Sequence, residues 1–447
     1  MTKVANWGNY PRINTSLQIA YNTETVKKIL SKNDSFIVRG MGRSYGDASL
    51  NSKLIVDSKS FNDFILFNRT TGELIVEAGT SFDAILRKMG GSGWFLPVVA
   101  GTKYISVGGA IAANIHGKNH HTSLSLVNHI NWISVLLADG SVVRCSKTQN
   151  SDLFYATCGG QGLTGVILYA SFQLKKYETT VIRQKNESCN DLHELIYKLK
   201  QANENSEYTV AWVDLVNRCF KGLVFSGDFI SDEELSSFKN LYLLGYDNCK
   251  PPLLGVPFYS PSALINKLSI SSFNNLYYKV NTLKKHCFHT TVDKFFFPLD
   301  ALKHWNRLYG PKGFIQYQFV IPEEETAMLQ RIISFIKKSN FNTPLAVLKI
   351  CGDDPAYHGS LSFCKKGLSL AMDFKYSEKL LGVLDKVDDL VAKAGGRVYL
   401  AKDSRMKACA FREMYGNSVE EFMEVKAKYD PQNKFTSLLS ERLKLCA

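Results

Sequence analysis

The sequence predicts an α+β protein with two domains. Its 447 residues, 45% of them hydrophobic, are too many for one hydrophobic core of ordinary size. Residues 1–179 are rich in glycine and in short β-branched runs. From about residue 180, amphipathic helical stretches alternate with strands, which is typical of helices flanking a mostly antiparallel sheet. This change of pattern places the domain boundary near residue 180.

Strands predominate in the first half of the chain. Apolar or alternating runs predict strands at 35–38, 54–57, 72–77 and 163–174, and a hairpin that joins 132–137 to 142–145. Either Thr80 or Ser81 is expected to cap a helix over 82–88.

Helices and strands alternate in the second half. Helical periodicity at 192–203, 327–338 and 377–394 alternates with strand patterns at 208–214, 313–321 and 345–351. Residues 244–280 are rich in Pro, Ser and Tyr and show little periodicity. We expect a long surface segment there, because loops of that length are usually functional or mobile.

The composition narrows the class of protein. No run approaches the ~18–20 apolar residues of a membrane span. The N-terminus has no apolar signal region, so we expect a cytoplasmic protein whose ten cysteines are free thiols. The net charge of +13 comes from dispersed lysines, which favour a solvated surface over a nucleic-acid site. Charge alone therefore assigns no partner.

Three glycine-dense stretches in the first half are the strongest candidates for a functional site. They are 40–47, 101–117 and 159–165. Glycine lets backbone N–H groups approach a phosphate closely. The first stretch is not a GxGxxG motif, because position 45 is Tyr, and no helical pattern follows it, so a Rossmann site is disfavoured. The second alone is also compatible with a buried small-residue helix, but the two together favour a shared diphosphate site.

These stretches, in this order, resemble the FAD-binding domain of the vanillyl-alcohol-oxidase superfamily, the PCMH type. Five segments narrow the resemblance to the decaprenylphosphoryl-β-D-ribose oxidase family: GRSYGD at 42–47, VGGAIA at 107–112, IHGKNHH at 115–121, QYQFVIP at 316–322 and AKDSR at 401–405. The resemblance extends from about Trp7 to the C-terminus, and the heptapeptide at 115–121 is its most specific part. Members of this family are flavin subunits of a 2′-epimerase that supplies arabinofuranose for cell-wall polymers.

The resemblance implies an FAD-binding domain over residues 1–179, to which residues 397–447 return, and an α+β substrate domain over residues 180–396. The residues expected to contact FAD are Trp7, Gly40, Gly42, Arg43, Ser44, Tyr45, Gly46, Asp47, Gly101, Thr102, Ser106, Val107, Gly108, Gly109, Ala112, Asn114, His116, Gly117, Gly162, Gly165, Val166, Ile167 and Tyr399. Covalent members of the superfamily often carry a histidine where this chain has Arg43, and arginine cannot form that flavin bond. The resemblance therefore implies non-covalent FAD.

Lys402 and His116 are the residues to which the resemblance assigns a catalytic role. The sequence alone favours a solvated ion pair for Lys402, which precedes Asp403, and a packed or solvated side chain for His116. The resemblance places both near the flavin. There Lys402 would orient a sugar hydroxyl and stabilise charge on its oxygen or, if desolvated, act as a base.

The resemblance also implies a substrate pocket. Its residues are Trp212, Phe296, Gln318, Lys349, Ser369, Ala371 and Lys402. Three of them depart from the family pattern: Ala371 replaces a thiol, Phe296 a tyrosine and Ser369 an asparagine. Hydride transfer needs none of these groups, so the expected reaction is unchanged, while the sugar or lipid tail can differ from that of the family.

No metal site is expected. The three histidines of segment 115–121 have no Cys or carboxylate at ligand spacing. The pair His286 and His289, with Cys287 between them, is interpreted as a surface feature.

The implied reaction is hydride transfer from a sugar carbon to flavin N5. The expected substrate is a polyprenylphosphoryl-β-D-ribose, oxidised at its 2′-hydroxyl to a ketone as the first half of an epimerisation to arabinose. A separate NAD(P)H-dependent short-chain reductase would complete the epimerisation, and a quinone or oxygen would reoxidise the flavin.

Alternatives remain open at this point. The apolar run 251–258, with the positive net charge, suits peripheral contact with a membrane but also suits a plain interdomain loop. The chain could instead be an aldonolactone or alditol oxidase acting on a soluble polyol, or a non-catalytic flavin- or lipid-binding protein.

Overall fold

The computed structural model describes residues 1–238, 252, 254–261, 263–355 and 360–446. The strands are β1 (Thr2–Ala5), β2 (Arg12–Ile19), β3 (Ile37–Arg39), β4 (Leu54–Asp57), β5 (Phe64–Phe67), β6 (Glu73–Glu77), β7 (Trp94–Phe95), β8 (Ile130–Leu136), β9 (Val142–Cys145), β10 (Val166–Gln173), β11 (Lys175–Lys176), β12 (Val181–Cys189), β13 (Tyr208–Val213), β14 (Gly222–Phe229), β15 (Cys287–Thr291), β16 (Phe314–Ile321), β17 (Ala346–Cys351), β18 (Gly367–Lys375) and β19 (Arg397–Val398).

The helices alternate with these strands along the chain. They are α1 (Thr23–Lys32), α2 (Phe82–Met89), α3 (Val107–Ala112), α4 (His120–Ser123), α5 (Ser151–Thr157), α6 (Leu192–Asn205), α7 (Asp232–Ser237), α8 (Lys267–Leu283), α9 (Val292–Phe296), α10 (Thr326–Lys338), α11 (Glu378–Lys393), α12 (Ala408–Tyr415), α13 (Asn417–Tyr429) and α14 (Leu438–Leu443). None of the described helices is long and apolar enough to cross a bilayer.

The first half of the chain forms two main sheets. One has the order β1-β2-β4-β3, with β2, β4 and β3 parallel, and the other is antiparallel with the order β5-β6-β10-β8-β9. The glycine stretches are the connections next to these strands. Gly40 follows β3 so closely against the cap of α3 that a Cβ there would lie 2.0 Å from Ser106 Oγ. Only glycine therefore allows the first two stretches to lie side by side.

The second half forms one antiparallel sheet of eight strands, in the order β15-β12-β14-β13-β17-β18-β16-β19. Its alternating side chains divide between two faces. Residues such as Leu348, Leu370 and Phe319 face one way and form a hydrophobic core with α6, α10 and α11. The other face carries polar side chains and meets the first half of the chain. The predicted α+β texture with an antiparallel sheet is confirmed.

Most of the predicted elements lie within two or three residues of their expected bounds. Ser81 is the residue that caps α2, because its side chain accepts a hydrogen bond from the backbone N–H of Ala84 at 3.1 Å. The strand predicted from residue 163 begins later, at Val166, after a positive-φ turn at Gly162 and Gly165.

The prediction of an irregular segment at 244–280 is wrong for its last third. Residues 267–283 form the 17-residue helix α8, capped at Asn266 by a reciprocal pair of hydrogen bonds with Ser269. Periodicity failed to reveal the helix because its inward face is partly polar: Asn274 donates to the Asp214 carboxylate at 2.9 Å. Residues 244–251 of the predicted segment lie outside the described residues.

The C-terminal part of the chain packs against the first sheet. Phe435 forms a bridge with Phe36, and Thr436 accepts a hydrogen bond from Asn51. A partly buried guanidinium, that of Arg442, contacts the buried Asp47 carboxylate at 2.9 Å and the buried Asp403 carboxylate at 2.8 Å. Residues far apart in sequence are therefore joined through one cation.

Replacement of Arg442 by Leu is expected to lower the free energy of unfolding by about 3–5 kcal/mol, because two buried carboxylates then lose their shared partner. The measurement is chemical denaturation of the flavin-loaded protein. The matched control is Arg412→Leu, whose pair with Glu420 is exposed and is expected to change stability by less than about 1 kcal/mol. Equal effects of the two substitutions would contradict a structural role for the buried network.

Candidate active site

A cavity of about 1040 Å³ lies between the glycine stretches and the polar face of the eight-stranded sheet. Its size is typical of sites that bind cofactors and substrates. All three glycine stretches contribute to its wall. Most of the residues predicted to contact FAD line it: Trp7, Gly40, Gly42, Arg43, Ser44, Tyr45, Gly101, Thr102, Ser106, Gly108, Gly109, Ala112, His116, Gly117, Gly162, Gly165, Ile167 and Tyr399.

Five residues predicted to contact FAD lie behind the wall instead. Gly46 packs tightly against residues 399–407, the segment between β19 and α12 that we call the strap: a Cβ at Gly46 would lie 1.6 Å from the carbonyl oxygen of Asp403. Asp47 pairs with Arg442, and Asn114 donates to Ser125 and Ser362. The remaining two, Val107 and Val166, are buried in the core. These five residues do not line the cavity, and their contact with the cofactor stays a prediction.

Arg43 supplies a positive charge at the glycine-rich end of the cavity. Its guanidinium lies over the Trp7 ring, 3.9 Å from the ring centre. Within the described part of the chain it forms no ion pair. An arginine that lines a cavity among glycine backbone without a carboxylate partner suits a phosphate group.

The polar face of the sheet forms the opposite wall, and strand register explains which side chains reach it. Gln316 pairs with Asp373, Gln318 with Ala371, and Lys349 with Ser369. Because side chains alternate between faces, these positions fall on the same side of the sheet. All seven residues predicted to bind substrate line the cavity: Trp212, Phe296, Gln318, Lys349, Ser369, Ala371 and Lys402.

His116 is held from two directions. The Lys349 ammonium contacts its Nδ1, and Gln318 lies 3.3 Å from its Nε2. An ammonium group can only donate, so Nδ1 accepts and the proton of the neutral ring lies on Nε2. Burial, and then the charge of Lys349, hold the pKa of His116 well below its usual value. His116 is therefore a neutral donor that faces Gln318, which has to present its amide oxygen there.

Lys402 is partly buried at the cavity wall and lies over the Tyr45 ring, 3.8 Å from the ring centre. Its ammonium forms no hydrogen bond or ion pair with another described residue. Burial lowers the pKa of Lys402 to about 7, although the nearby Asp373 carboxylate acts in the opposite direction. A lysine in this state can exchange a proton near neutral pH.

Asp373 is a residue of this site that the sequence did not reveal. It is fully buried and accepts hydrogen bonds from Gln316 at 2.6 Å and from Tyr309 at 2.9 Å. Burial raises the pKa of Asp373 to about 6. The available signal was the alternation of strand β18, which puts position 373 on the same face as Ser369 and Ala371. Asp373 thus places a carboxylate behind Lys402.

Lys118 was also missed. Lys118 is partly buried and lines the cavity, and its ammonium donates to the carbonyl oxygens of Phe295 and Phe296, the second at 3.3 Å. Burial lowers the pKa of Lys118 to about 7. Lys118 lies two residues after His116 in the IHGKNHH heptapeptide, and this proximity was the available signal.

Two contacts join the cofactor side of the cavity to the substrate side. Thr102 donates to the Asp300 carboxylate at 2.8 Å, and the backbone N–H of Lys103 donates to the same carboxylate. The buried Lys103 ammonium pairs with Asp83 and, at 2.9 Å, with Asp293. The second glycine stretch is therefore fixed to both halves of the chain.

Three potential metal ligands lie together behind His116, although their spacing in the sequence did not indicate a shared site. The ligand atoms of His120, Cys351 and Cys364 lie within 4.8 Å of one another, and all three residues are buried. However, the backbone N–H of Gly352 donates to His120 Nδ1 at 3.1 Å, so Nε2 carries the proton of the neutral ring. A protonated Nε2 is a donor and cannot bind a metal. The arrangement favours a hydrogen-bonded thiol cluster over a zinc site.

The cavity suits FAD by two tests. It has space for a dinucleotide, and its walls carry positively charged or proton-exchanging groups (Arg43, Lys118, Lys402) that lack a paired carboxylate among the described residues. Glycine backbone and the Arg43 guanidinium would hold the diphosphate, and Tyr45, His116 and Lys402 would lie at the reacting end. When bound, FAD supplies a hydride acceptor.

Comparison with known proteins agrees with this geometry. The family described as FAD binding domain matches residues 21–146, and the family described as D-arabinono-1,4-lactone oxidase matches residues 313–443. Decaprenylphosphoryl-beta-D-ribose oxidase of Mycolicibacterium smegmatis is 35% identical over 92% of this chain and 89% of its own.

Two further relatives are more distant. An uncharacterized protein of Streptomyces coelicolor is 30% identical over 79% of this chain and 96% of its own. A putative D-arabinono-1,4-lactone oxidase of Neurospora crassa is 28% identical, over 30% of this chain and 24% of its own. The long match to the mycobacterial protein, together with an FAD-binding domain and a cavity that fits the cofactor, shows that the chain is an FAD-dependent oxidoreductase of the decaprenylphosphoryl-β-D-ribose oxidase family.

Proposed function

We propose that this protein oxidises the 2′-hydroxyl of a polyprenylphosphoryl-β-D-ribose to a ketone, with Lys402 accepting the hydroxyl proton. The observation that carries the proposal is the Lys402 ammonium, which lines the cavity over the Tyr45 ring and has no ion-pair partner among the described residues; burial lowers its pKa to about 7. An alcohol loses its proton more readily to a neutral amine than to water, and loss of that proton helps the hydride to leave.

The neighbouring side chains would position the sugar. His116 donates its Nε2–H to the Gln318 amide oxygen, which orients the amide so that its NH2 group can donate to a ribose hydroxyl. Lys349 fixes the tautomer of His116 and makes no direct contact with the reacting carbon in this scheme. The negative charge of Asp373 acts to raise the pKa of Lys402 and so opposes the effect of burial.

The far end of the cavity suits a lipid phosphate. Lys284 and Lys294 line it together with Phe273, Tyr277 and Val280. A phosphate would bind the two ammonium groups, and the first isoprene units would contact the apolar residues. A soluble aldonolactone or alditol would leave this apolar wall without a ligand, which is why we favour the lipid-linked sugar despite the match to the lactone oxidase family.

The proposed product also indicates which other reactants the protein needs. A 2′-keto sugar has to be reduced to give the epimer, which calls for a separate NAD(P)H-dependent short-chain reductase. The reduced flavin has to be reoxidised, and a quinone or oxygen would serve. Contact with a membrane would give access to the lipid-linked substrate.

We propose that the flavin is bound without a covalent link. Arg43, at the glycine-rich end of the cavity, stands where covalent members of the superfamily often carry the histidine that binds the flavin. Among the described residues, no cysteine lines the cavity. Acid denaturation is expected to release all of the yellow cofactor into the supernatant. Flavin fluorescence that stays with the precipitated chain would contradict this expectation.

The substrate class is tested by the visible spectrum of the holoenzyme without oxygen. Addition of a short-chain polyprenylphosphoryl-ribose is expected to bleach the flavin band, because the reduced cofactor does not absorb there. The matched control is the 2′-deoxy analogue, which binds but has no hydroxyl to oxidise. Bleaching by an alditol or aldonolactone, but not by the ribose lipid, would assign the protein to the polyol oxidases.

Lys402→Met is expected to slow flavin reduction by about 10²- to 10⁴-fold, the usual contribution of a general base, while FAD stays bound. The measurement is stopped-flow flavin reduction under anaerobic conditions. Lys407→Met is the control, because Lys407 is exposed and pairs only with Asp385 at the surface. Unchanged reduction in the Lys402 variant would remove it from the mechanism.

The same reaction is expected to depend on pH through Lys402. Since the neutral amine is the base, the rate of reduction rises as pH increases through about 7 and is constant above it. Lys402→Arg keeps the charge and cannot lose its proton, so its rate should stay low across this range. A rate that falls with increasing pH would show instead that the charged form of Lys402 is the active one.

A further inference from the structure

Helix α8 is held to the protein by its polar side. Asn274 and Asn281 are buried together with Ile270, and Asn274 donates to the Asp214 carboxylate at 2.9 Å. Ser271 adds a hydrogen bond to Asn217 at 2.6 Å. In an ordinary surface helix the apolar residues face the core. Here part of the inward face is polar, which leaves apolar residues elsewhere on the helix.

The outward face of α8 is apolar. Leu268, Phe273, Leu276, Val280 and Leu283 are exposed by 78%, 59%, 61%, 46% and 75%. At about 100° per residue these five positions fall within an arc of about 140°. The helix therefore presents a mainly apolar stripe to solvent along most of its 17 residues, with Ser272 and Lys279 within the same arc.

The apolar stripe lies within a larger exposed apolar region. Ten of the nineteen exposed large hydrophobic residues in the described part of the chain fall between positions 254 and 299. Those outside α8 are Leu254, Phe258, Tyr259, Leu264 and Leu299. Exposed apolar residues normally occur singly, and a concentration of this kind marks an interaction surface.

The exposed charged side chains of residues 254–310 that the structure describes are positive. Exposed lysines on and after α8 are Lys267, Lys279, Lys284, Lys285, Lys294 and Lys303. The acidic residues described between 254 and 310 are Asp293 and Asp300, and both are engaged by the second glycine stretch through Lys103 and Thr102. A surface that combines an apolar helix face with lysines and no outward carboxylate is complementary to an anionic lipid bilayer.

The stripe is continuous with the cavity. Phe273 and Val280 belong to both, because they are exposed and also line the cavity, as Lys284 does. A ligand with a long apolar chain could therefore extend from the cavity onto this face without crossing a polar surface.

We propose that α8 is a membrane-docking helix, which lies flat on an anionic bilayer with Leu268, Leu276 and Leu283 inserted below the headgroups. Docking places the cavity mouth at the level of the lipid phosphates. The use of this position for a lipid-linked sugar rests on the proposed function, whereas docking itself does not.

The test is sedimentation of the holoenzyme with vesicles of phosphatidylcholine, with or without phosphatidylglycerol. The wild-type protein is expected to bind the anionic vesicles and to be released by high salt. The triple substitution Leu268→Gln, Leu276→Gln and Leu283→Gln, at positions outside the cavity lining, is expected to weaken binding at least about tenfold. The control replaces three exposed apolar residues of the first half, Leu17, Ile19 and Leu66, by Gln and should bind like wild type.

The other results are equally informative. Equal vesicle binding by the triple variant, or no binding by the wild-type protein, would overturn the proposal. A wild-type dimer that becomes a monomer in the triple variant, with no vesicle binding by either, would assign the face to contact between copies and would also overturn it. Flavin content of the variant reports that it is folded.

Flavin bleaching by a short-chain, water-soluble ribose lipid separates this proposal from the proposed function. Bleaching is expected to be the same in wild type and triple variant, because neither the cavity nor Lys402 is changed. If the triple variant loses vesicle binding but no ribose lipid bleaches the flavin of either protein, the docking surface is supported and the proposed substrate is refuted.

Discussion

The position of Lys402 depends on one partly buried guanidinium. Arg442, near the C-terminus, binds Asp47 from the first glycine stretch and Asp403, the residue that follows Lys402. A charge network of this kind is costly to desolvate and is stable only if every partner is present. Its neighbours hold the pKa of Asp403 below its usual value, so that carboxylate stays charged. The strap cannot shift without separating these charges, and Lys402 is fixed over Tyr45 as a result.

The cavity itself results from the two faces of one sheet. The face against α6, α10 and α11 is apolar, and the opposite face carries amides, a carboxylate and the Lys349 ammonium at alternating positions, with Lys402 beside it on the segment after β19. Burial then acts on these groups in the direction that favours their neutral forms: the pKa of Lys402 falls and the pKa of Asp373 rises. Proton exchange near neutral pH is thus a consequence of where the chain encloses its polar face.

The sequence was sufficient for most of the architecture. Alternating or β-branched runs predicted the strands, and amphipathic periodicity predicted α6, α10 and α11. Glycine density located one side of the cavity, although the roles of individual residues there, including Lys402 and His116, came from family resemblance and stay predictions. Periodicity missed α8 because Asn274, and not only apolar residues, faces inward. The position of Asp373 could have been predicted, because side chains alternate along β18 and put residue 373 on the same face as Ser369 and Ala371. The cluster of His120, Cys351 and Cys364 could not have been predicted, because its members meet only through tertiary structure.

The shared contacts of Lys103 bear on how a substrate can enter. This ammonium is almost completely buried and pairs with Asp83 in the first half of the chain and with Asp293 in the second. A hinge motion that opened the cavity between the halves would expose or break both pairs. Beside α8 the cavity already reaches the surface, because Phe273 and Val280 are exposed and also line it, so access there requires neither pair to separate.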